Sequence, residues 1–122
     1  VLVVVNALKK MFGGEIIVPK LPSIRIIDII DHLGDNLNYE VVGIRPGEKI
    51  HEVMIPEEEI RNTFDMDDHY IIQPNHHWWD VSKFNKIIKK NGKLVTGIKE
   101  YSSGLNSDWL NKKQLKDLIR SV

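Results

Sequence analysis

Two short β-branched runs, Glu15-Ile16-Ile17-Val18 and Tyr39 to Ile44, bracket a stretch in which Ile24, Ile27 and Ile30 recur at helical spacing. Apolar β-branched runs of this length read as strands, and a period of three to four residues reads as a helix with one apolar face. Pro19 and Pro22 stop the first run, Ser23 is placed to cap the helix, and Gly34 ends it. The order predicts a β-α-β succession and restricts the chain to a mixed class, α/β or, in the isolated piece, α+β.

The flanking segments carry weaker versions of the same signals. Leu2, Val5, Leu8 and Met11 give a leading helix that closes on Lys9, Lys10 and Gly13-Gly14. Val53 to Ile55 and Tyr70 to Ile72 read as strands separated by acidic residues, and Ser82 to Lys90 reads as a short helix. Leu94 to Ile98 is expected to be extended. Asn111 followed by Gln114 makes an asparagine form of the capping box, ahead of a final helix with Leu115, Leu118 and Ile119 on one stripe.

Bulk properties exclude several classes. Lys plus Arg and Asp plus Glu both number 17, so no net field draws the chain to nucleic acid. The chain has no cysteine, which excludes disulfides and thiolate metal sites and suits a reducing cytoplasm. Its apolar start, Val1 to Val5, is far shorter than the ~20 residues a membrane helix needs. The expectation is a soluble cytoplasmic protein. A chain of 122 residues has the length of one domain, yet it opens at Val1 in the middle of an apolar stretch, as a piece cut from a longer protein does.

The chemistry concentrates in Gly43-Ile44-Arg45-Pro46-Gly47-Glu48-Lys49-Ile50-His51-Glu52. Pro46 presets φ for the second position of a type II turn and Gly47 accepts the positive φ of the third. The first and fourth Cα atoms of such a turn lie within about 7 Å, so Arg45 and Glu48 can address one ligand. A guanidinium grips a pyrophosphate through paired charged hydrogen bonds, and a carboxylate accepts from vicinal sugar hydroxyls. The bland alternative is a solvated turn.

Together with Gly14-Glu15-Ile16-Ile17-Val18-Pro19-Lys20-Leu21-Pro22-Ser23 before it and Tyr101-Ser102-Ser103 after it, this motif resembles the C-terminal portion of the UDP-N-acetylglucosamine 4,6-dehydratases and related capsule-type polysaccharide-biosynthesis epimerases. The resemblance runs in order through nearly the whole chain. It implies the substrate-binding end of an extended short-chain dehydrogenase of Rossmann type, with residues 1–122 as the nucleotide-sugar-binding region and the N-terminal NAD(P)-binding domain missing. It implies that Arg45 binds the UDP pyrophosphate, that Glu48 meets the ribose, and that Lys20 lies near the nucleotide-sugar cleft.

In the complete enzyme the resemblance implies NAD(P) as cofactor, oxidation of the sugar at C4, loss of water across C5 and C6, and return of hydride to C6; epimerase relatives return it to C4. Homo-oligomers are expected from the same relatives. The family's glycine-rich cofactor turn and its Tyr with a Lys four residues on have no counterpart here, since Tyr39, Tyr70 and Tyr101 are followed at that spacing by Gly43, Pro74 and Leu105. The chain by itself is therefore expected to hold no catalytic residue and no cofactor. Gly104-Leu105 departs from the Asp- or Asn-rich turn the family leads one to expect after Ser103.

Other features have plainer readings. His76-His77-Trp78-Trp79-Asp80 offers imidazoles and a carboxylate, but adjacent side chains of an extended segment point to opposite faces, so a surface or oligomer-contact loop is favoured over a metal site. His51-Glu52 opens like a zinc-protease helix, yet position 55, where the second His belongs, is Ile55. Lys83, Lys86, Lys89, Lys90 and Lys93 read as a solvated face. A reading of another class is a stand-alone interaction module anchored by Trp78, Trp79 and Trp109.

Overall fold

The computed structural model describes residues 2–34, 37–76 and 79–120 and divides into two compact units. One comprises Val1–Lys20 and Met54–Tyr101, the other Leu21–Val53 and Ser102–Val122.

The first unit holds helix α1 (Leu2–Lys10), strand β1 (Ile16–Pro19), strand β2 (Val53–Ile55, whose first residue belongs to the second unit), the short helix α3 (Glu57–Ile60; α2 lies in the second unit), β3 (Thr63–Asp65), β4 (His69–Ile72), α4 (Val81–Asn91) and β5 (Lys93–Leu94). Four of these strands form a sheet in the order β1-β4-β3-β5, with every pairing antiparallel. Ile71 faces Ile17 on one side and Phe64 on the other, while Ile72 faces Ile16 and Thr63. Pro19, which has no N–H for a ladder, sits at the end of the edge strand β1.

Because successive strand residues point to opposite faces, this register builds an apolar cluster on each face of the sheet. Phe64, Ile71, Trp79, Phe84 and Ile88 form one; Val18, Ile55, Ile60 and Ile72 form the other. Phe84 is the hub of the first, fully buried, with ring centres 5.5 Å from Phe64, 5.0 Å from Trp79 and 6.2 Å from Phe12. Helix α4 delivers Phe84 and Ile88 from positions four apart on one face, and Asp80 starts it by accepting the Ser82 N–H at 3.0 Å. Helix α1 leaves Val4 and Leu8 more than half exposed.

The second unit contains α2 (Ile26–Leu33) and α5 (Lys112–Arg120), which pack against each other and are joined by Lys112 to Asp31 at 2.9 Å. The capping box forms as the sequence predicts: the Gln114 N–H donates to the Asn111 side chain, and the Gln114 side chain accepts the Asn111 N–H, both at 2.9 Å. Strand β6 (Tyr101–Ser102) pairs with β2.

Three expectations are corrected. Tyr39 to Ile44 is not a strand: Leu37 to Glu52 adopts neither helix nor strand and is exposed throughout, with Val41 at 84% and Val42 at 72%. An apolar β-branched run becomes a strand only where a partner edge accepts its backbone groups, and the four-stranded sheet is completed by β3 and β4 instead. The β-α-β unit is thus replaced by an antiparallel four-stranded sheet within a mixed helix-and-sheet fold. Ser23 does not cap α2; it is drawn into an isolated parallel bridge with Trp109, and Arg25 occupies the cap position without a side-chain bond. Trp79 is no surface contact, since it lies 9% exposed in the core; His77 and Trp78 fall outside the described residues.

Candidate functional site

Arg45 to Glu48 folds as the tight turn its residues dictate. Gly47 takes φ +87°, the left-handed value that the third position of a type II turn requires and a Cβ resists, and the Glu48 N–H closes the turn on the Arg45 carbonyl at 3.0 Å. The Glu48 carboxylate folds back to accept the Arg45 N–H at 2.9 Å, and its other oxygen lies 4.0 Å from Arg45 Nε. Cation and anion therefore stand side by side, with 76% and 51% of their side chains exposed.

At that exposure the mutual ion pair contributes at most about 1 kcal/mol, so a ligand offering a better-matched anion displaces it at small cost. A diphosphate is such a ligand, because parallel N–H to oxygen bonds fit the guanidinium fork. The backbone bond to Glu48 holds one carboxylate oxygen in place and leaves the other free to accept from a hydroxyl. A hollow of about 540 Å³ in the same unit is lined by Asp28, Asp31, His32, Tyr39, Lys112 and Lys116 among others, and Arg45 and Glu48 are not among its lining residues. The turn stands open at the surface.

Lys20 belongs to the first unit, where its ammonium sits 2.7 Å from Asp65 and 4.9 Å from the centre of the Tyr70 ring. Tyr70 in turn packs on Tyr101 with ring centres 5.1 Å apart. Partial burial pulls the Lys20 pKa down, but the hydrogen bond and charge of Asp65 outweigh it and the net shift is upward. Burial likewise pushes Asp65 up, and the Lys20 contact brings it below the usual carboxylate value. Both groups are ionised at neutral pH. The structure thus joins Arg45 to Glu48 and gives Lys20 partners within its own unit.

The sequence did not single out Asp65 and Tyr70 as partners of Lys20, since the spacing of 45 residues to Asp65 exists only through β-sheet register. His51 and Gly104 are also brought together in a way no local signal announces: a Cβ on Gly104 would lie 2.7 Å from the His51 ring. Ile55, the residue that breaks the zinc-protease spacing, is wholly buried in β2. Among the described residues no group of three or more His, Asp or Glu side chains is arranged to hold a metal ion.

Among the described residues, the paired glycines do not fit the phosphate-binding turn of a Rossmann-type dinucleotide site. Such a site needs a glycine-rich turn running from a strand into a helix N-terminus, whose free N–H groups receive the phosphates. Gly13 and Gly14 run the opposite way, from the end of α1 into β1.

The fold is shared with a solved structure, Pen from Bacillus thuringiensis, at a TM-score of 0.73 and 25% identity over 98% of this chain and 35% of that one. The class is thus a mixed helix-and-sheet fold, on which this chain carries an exposed Arg-Pro-Gly-Glu turn. A sequence model described as polysaccharide biosynthesis protein matches residues 1–74, and the UDP-N-acetylglucosamine 4,6-dehydratase (inverting) of Campylobacter jejuni is 35% identical over 119 residues, 95% of this chain. The chain belongs to the polysaccharide biosynthesis protein family. An uncharacterized membrane protein of Methanocaldococcus jannaschii is 31% identical over 121 residues, covering 90% of this chain and 32% of that protein. No helix among the described residues here is long and apolar enough to cross a membrane. The chain spans about a third of the length of these relatives, 35% for the Campylobacter protein.

Proposed function

We propose that this chain is the nucleotide-sugar-binding region of an NAD(P)-dependent 4,6-dehydratase acting on UDP-N-acetylglucosamine in surface-polysaccharide biosynthesis, at the C-terminal end of an extended short-chain dehydrogenase. The observation that supports this reading is the Arg45–Glu48 turn, which holds a guanidinium and a carboxylate side by side on an exposed loop. Arg45 grips the diphosphate of the UDP-sugar, and Glu48 accepts from the ribose hydroxyls that lie next to it. Lys20 is the third member of the substrate set: with one N–H on Asp65, its ammonium keeps two donors for the sugar nucleotide. NAD(P) is held by an N-terminal domain, which also carries the catalytic residues; in the cytoplasm the whole assembles as a homo-oligomer.

The 35% identity to the Campylobacter dehydratase favours dehydration over epimerisation. The interaction-module reading loses ground because Trp79, one of its three anchors, is a core residue. Isothermal titration of the protein with UDP-N-acetylglucosamine, parent against Arg45→Ala, tests the proposal. Removing the guanidinium forfeits charged bonds of roughly 1.5 to 3 kcal/mol, so affinity falls by about 10- to 150-fold. Equal titrations of the two proteins sink it.

A further inference from the structure

Between Leu37 and Glu52 the chain adopts no regular structure and every residue is exposed, so a turn at Arg45–Glu48 has its internal shape set locally but its direction set by whatever fixes its ends. The exit end is fixed. The Ser103 N–H donates to the Glu52 carbonyl at 2.8 Å, and the Glu52 N–H donates to the Ser103 hydroxyl at 3.0 Å. Ser103 is itself tied inward: its carbonyl accepts the hydroxyl of buried Ser23 at 3.0 Å, and Asn106 donates to that same hydroxyl at 3.1 Å. Ser23 in turn is pinned through its backbone to Asp108 at 2.8 Å and Leu110 at 2.9 Å.

Next to this double bond the His51 ring lies on Gly104. A Cβ there would stand 2.7 Å from two ring atoms and 3.0 Å from Nδ1, closer than a side chain is tolerated. The departure from an Asp- or Asn-rich turn at this position thus has a physical reason: any side chain on residue 104 strikes the imidazole. Gly104 has no left-handed φ, so alanine suits its backbone, and the consequence of the substitution is confined to displacing the ring.

We infer that Ser103 and Gly104 are positioning residues for the ligand-binding turn, aiming Arg45 and Glu48 by clamping Glu52 and seating His51. The inference rests on the nucleotide-sugar reading given above. A clamp three to four residues from Glu48 limits the excursions of the turn, and a bidentate grip on a diphosphate tolerates little misplacement.

The test is titration of the intact protein with UDP-N-acetylglucosamine, alongside thermal melts. Gly104→Ala and Ser103→Ala each weaken binding by about fivefold or more, and Ser103→Thr, which keeps the hydroxyl, restores it. A role in stability alone moves the melting temperature without coupling to Arg45. Here Gly104→Ala costs less in the Arg45→Ala background than in the parent, because an absent guanidinium cannot be misaimed and only Glu48 is left to aim; fully additive losses overturn the inference. Should Gly104→Ala fail to fold, His51→Ala empties the same seat without a clash, and unchanged affinity in it also overturns the inference. If Arg45→Ala weakens binding while the clamp variants do not, the clamp is wrong and the site stands; if Arg45→Ala is itself without effect, the site is wrong and the clamp falls with it.

Discussion

The Lys20 ammonium and the Asp65 carboxylate meet at 2.7 Å, 45 residues apart in the chain, with Tyr70 beneath the cation. The pair links the residue just after β1 to the last residue of β3 across the intervening strand β4. Both side chains are about a third exposed, so screening keeps its contribution to about 1 kcal/mol or less.

The pH dependence of that contribution follows from the two shifts. Asp65 is held below its ordinary 3.8, so its share is present above that value and is lost as pH falls through the lowered folded pKa. Lys20 is held above its ordinary 10.5, so its share is present below that value and is lost as pH rises through the raised folded pKa. Melting-temperature differences between parent and Asp65→Asn are therefore flat from about pH 5 to 9 and shrink at the acid end. A difference that does not shrink as pH falls below the ordinary carboxylate range contradicts the pairing.

Phe84 is fully buried at the junction of three aromatic rings. Phe84→Ala leaves a cavity that the strands cannot collapse into, at a cost of about 3–5 kcal/mol. Denaturant unfolding followed by far-UV circular dichroism reads this, and Trp79, whose ring centre is 5.0 Å away, contributes a fluorescence change to the same transition.

Gly47 at φ +87° is required by the turn and by nothing else. No atom lies within 4 Å of a Cβ built there, so Gly47→Ala meets no clash and acts through backbone strain of about 1 kcal/mol. That strain is about a fivefold change in an equilibrium constant, so UDP-sugar affinity falls by about fivefold while the melting temperature drops by no more than a few degrees. Gly47→Asn, which tolerates the left-handed region, loses less. Calorimetric titration of the two variants checks the order.

Asn111→Ala removes the side-chain half of a reciprocal cap at the start of α5, the oxygen that accepts the Lys113 and Gln114 N–H groups, and leaves the backbone N–H of residue 111 on the Gln114 side chain. The expected loss is about 1 kcal/mol, seen as a lower melting temperature. Asn111→Asp, which keeps the accepting oxygen, retains most of the stability.

What could be read from the sequence was whatever a few neighbouring residues settle among themselves. The Pro46-Gly47 turn, the Asn111–Gln114 cap and the helix carrying Phe84 depend on φ preferences, side-chain to backbone reach, and a period of three to four residues, all complete within a dozen positions. The same holds for the approach of Arg45 to Glu48, and family membership was legible because those residues keep their order along the chain. Tertiary structure decided everything that needs a partner from elsewhere. Tyr39 to Ile44 has the composition of a strand and no edge to join; Ser23 has the chemistry of a cap and was taken by Trp109; Trp79 sat in a polar-looking stretch and became core. Lys20 with Asp65 and His51 with Gly104 are products of sheet register and loop packing, and no spacing rule relates residues 45 or 53 positions apart. A local preference states what a backbone can adopt, whereas a hydrogen bond or a buried face exists only once its other half has arrived.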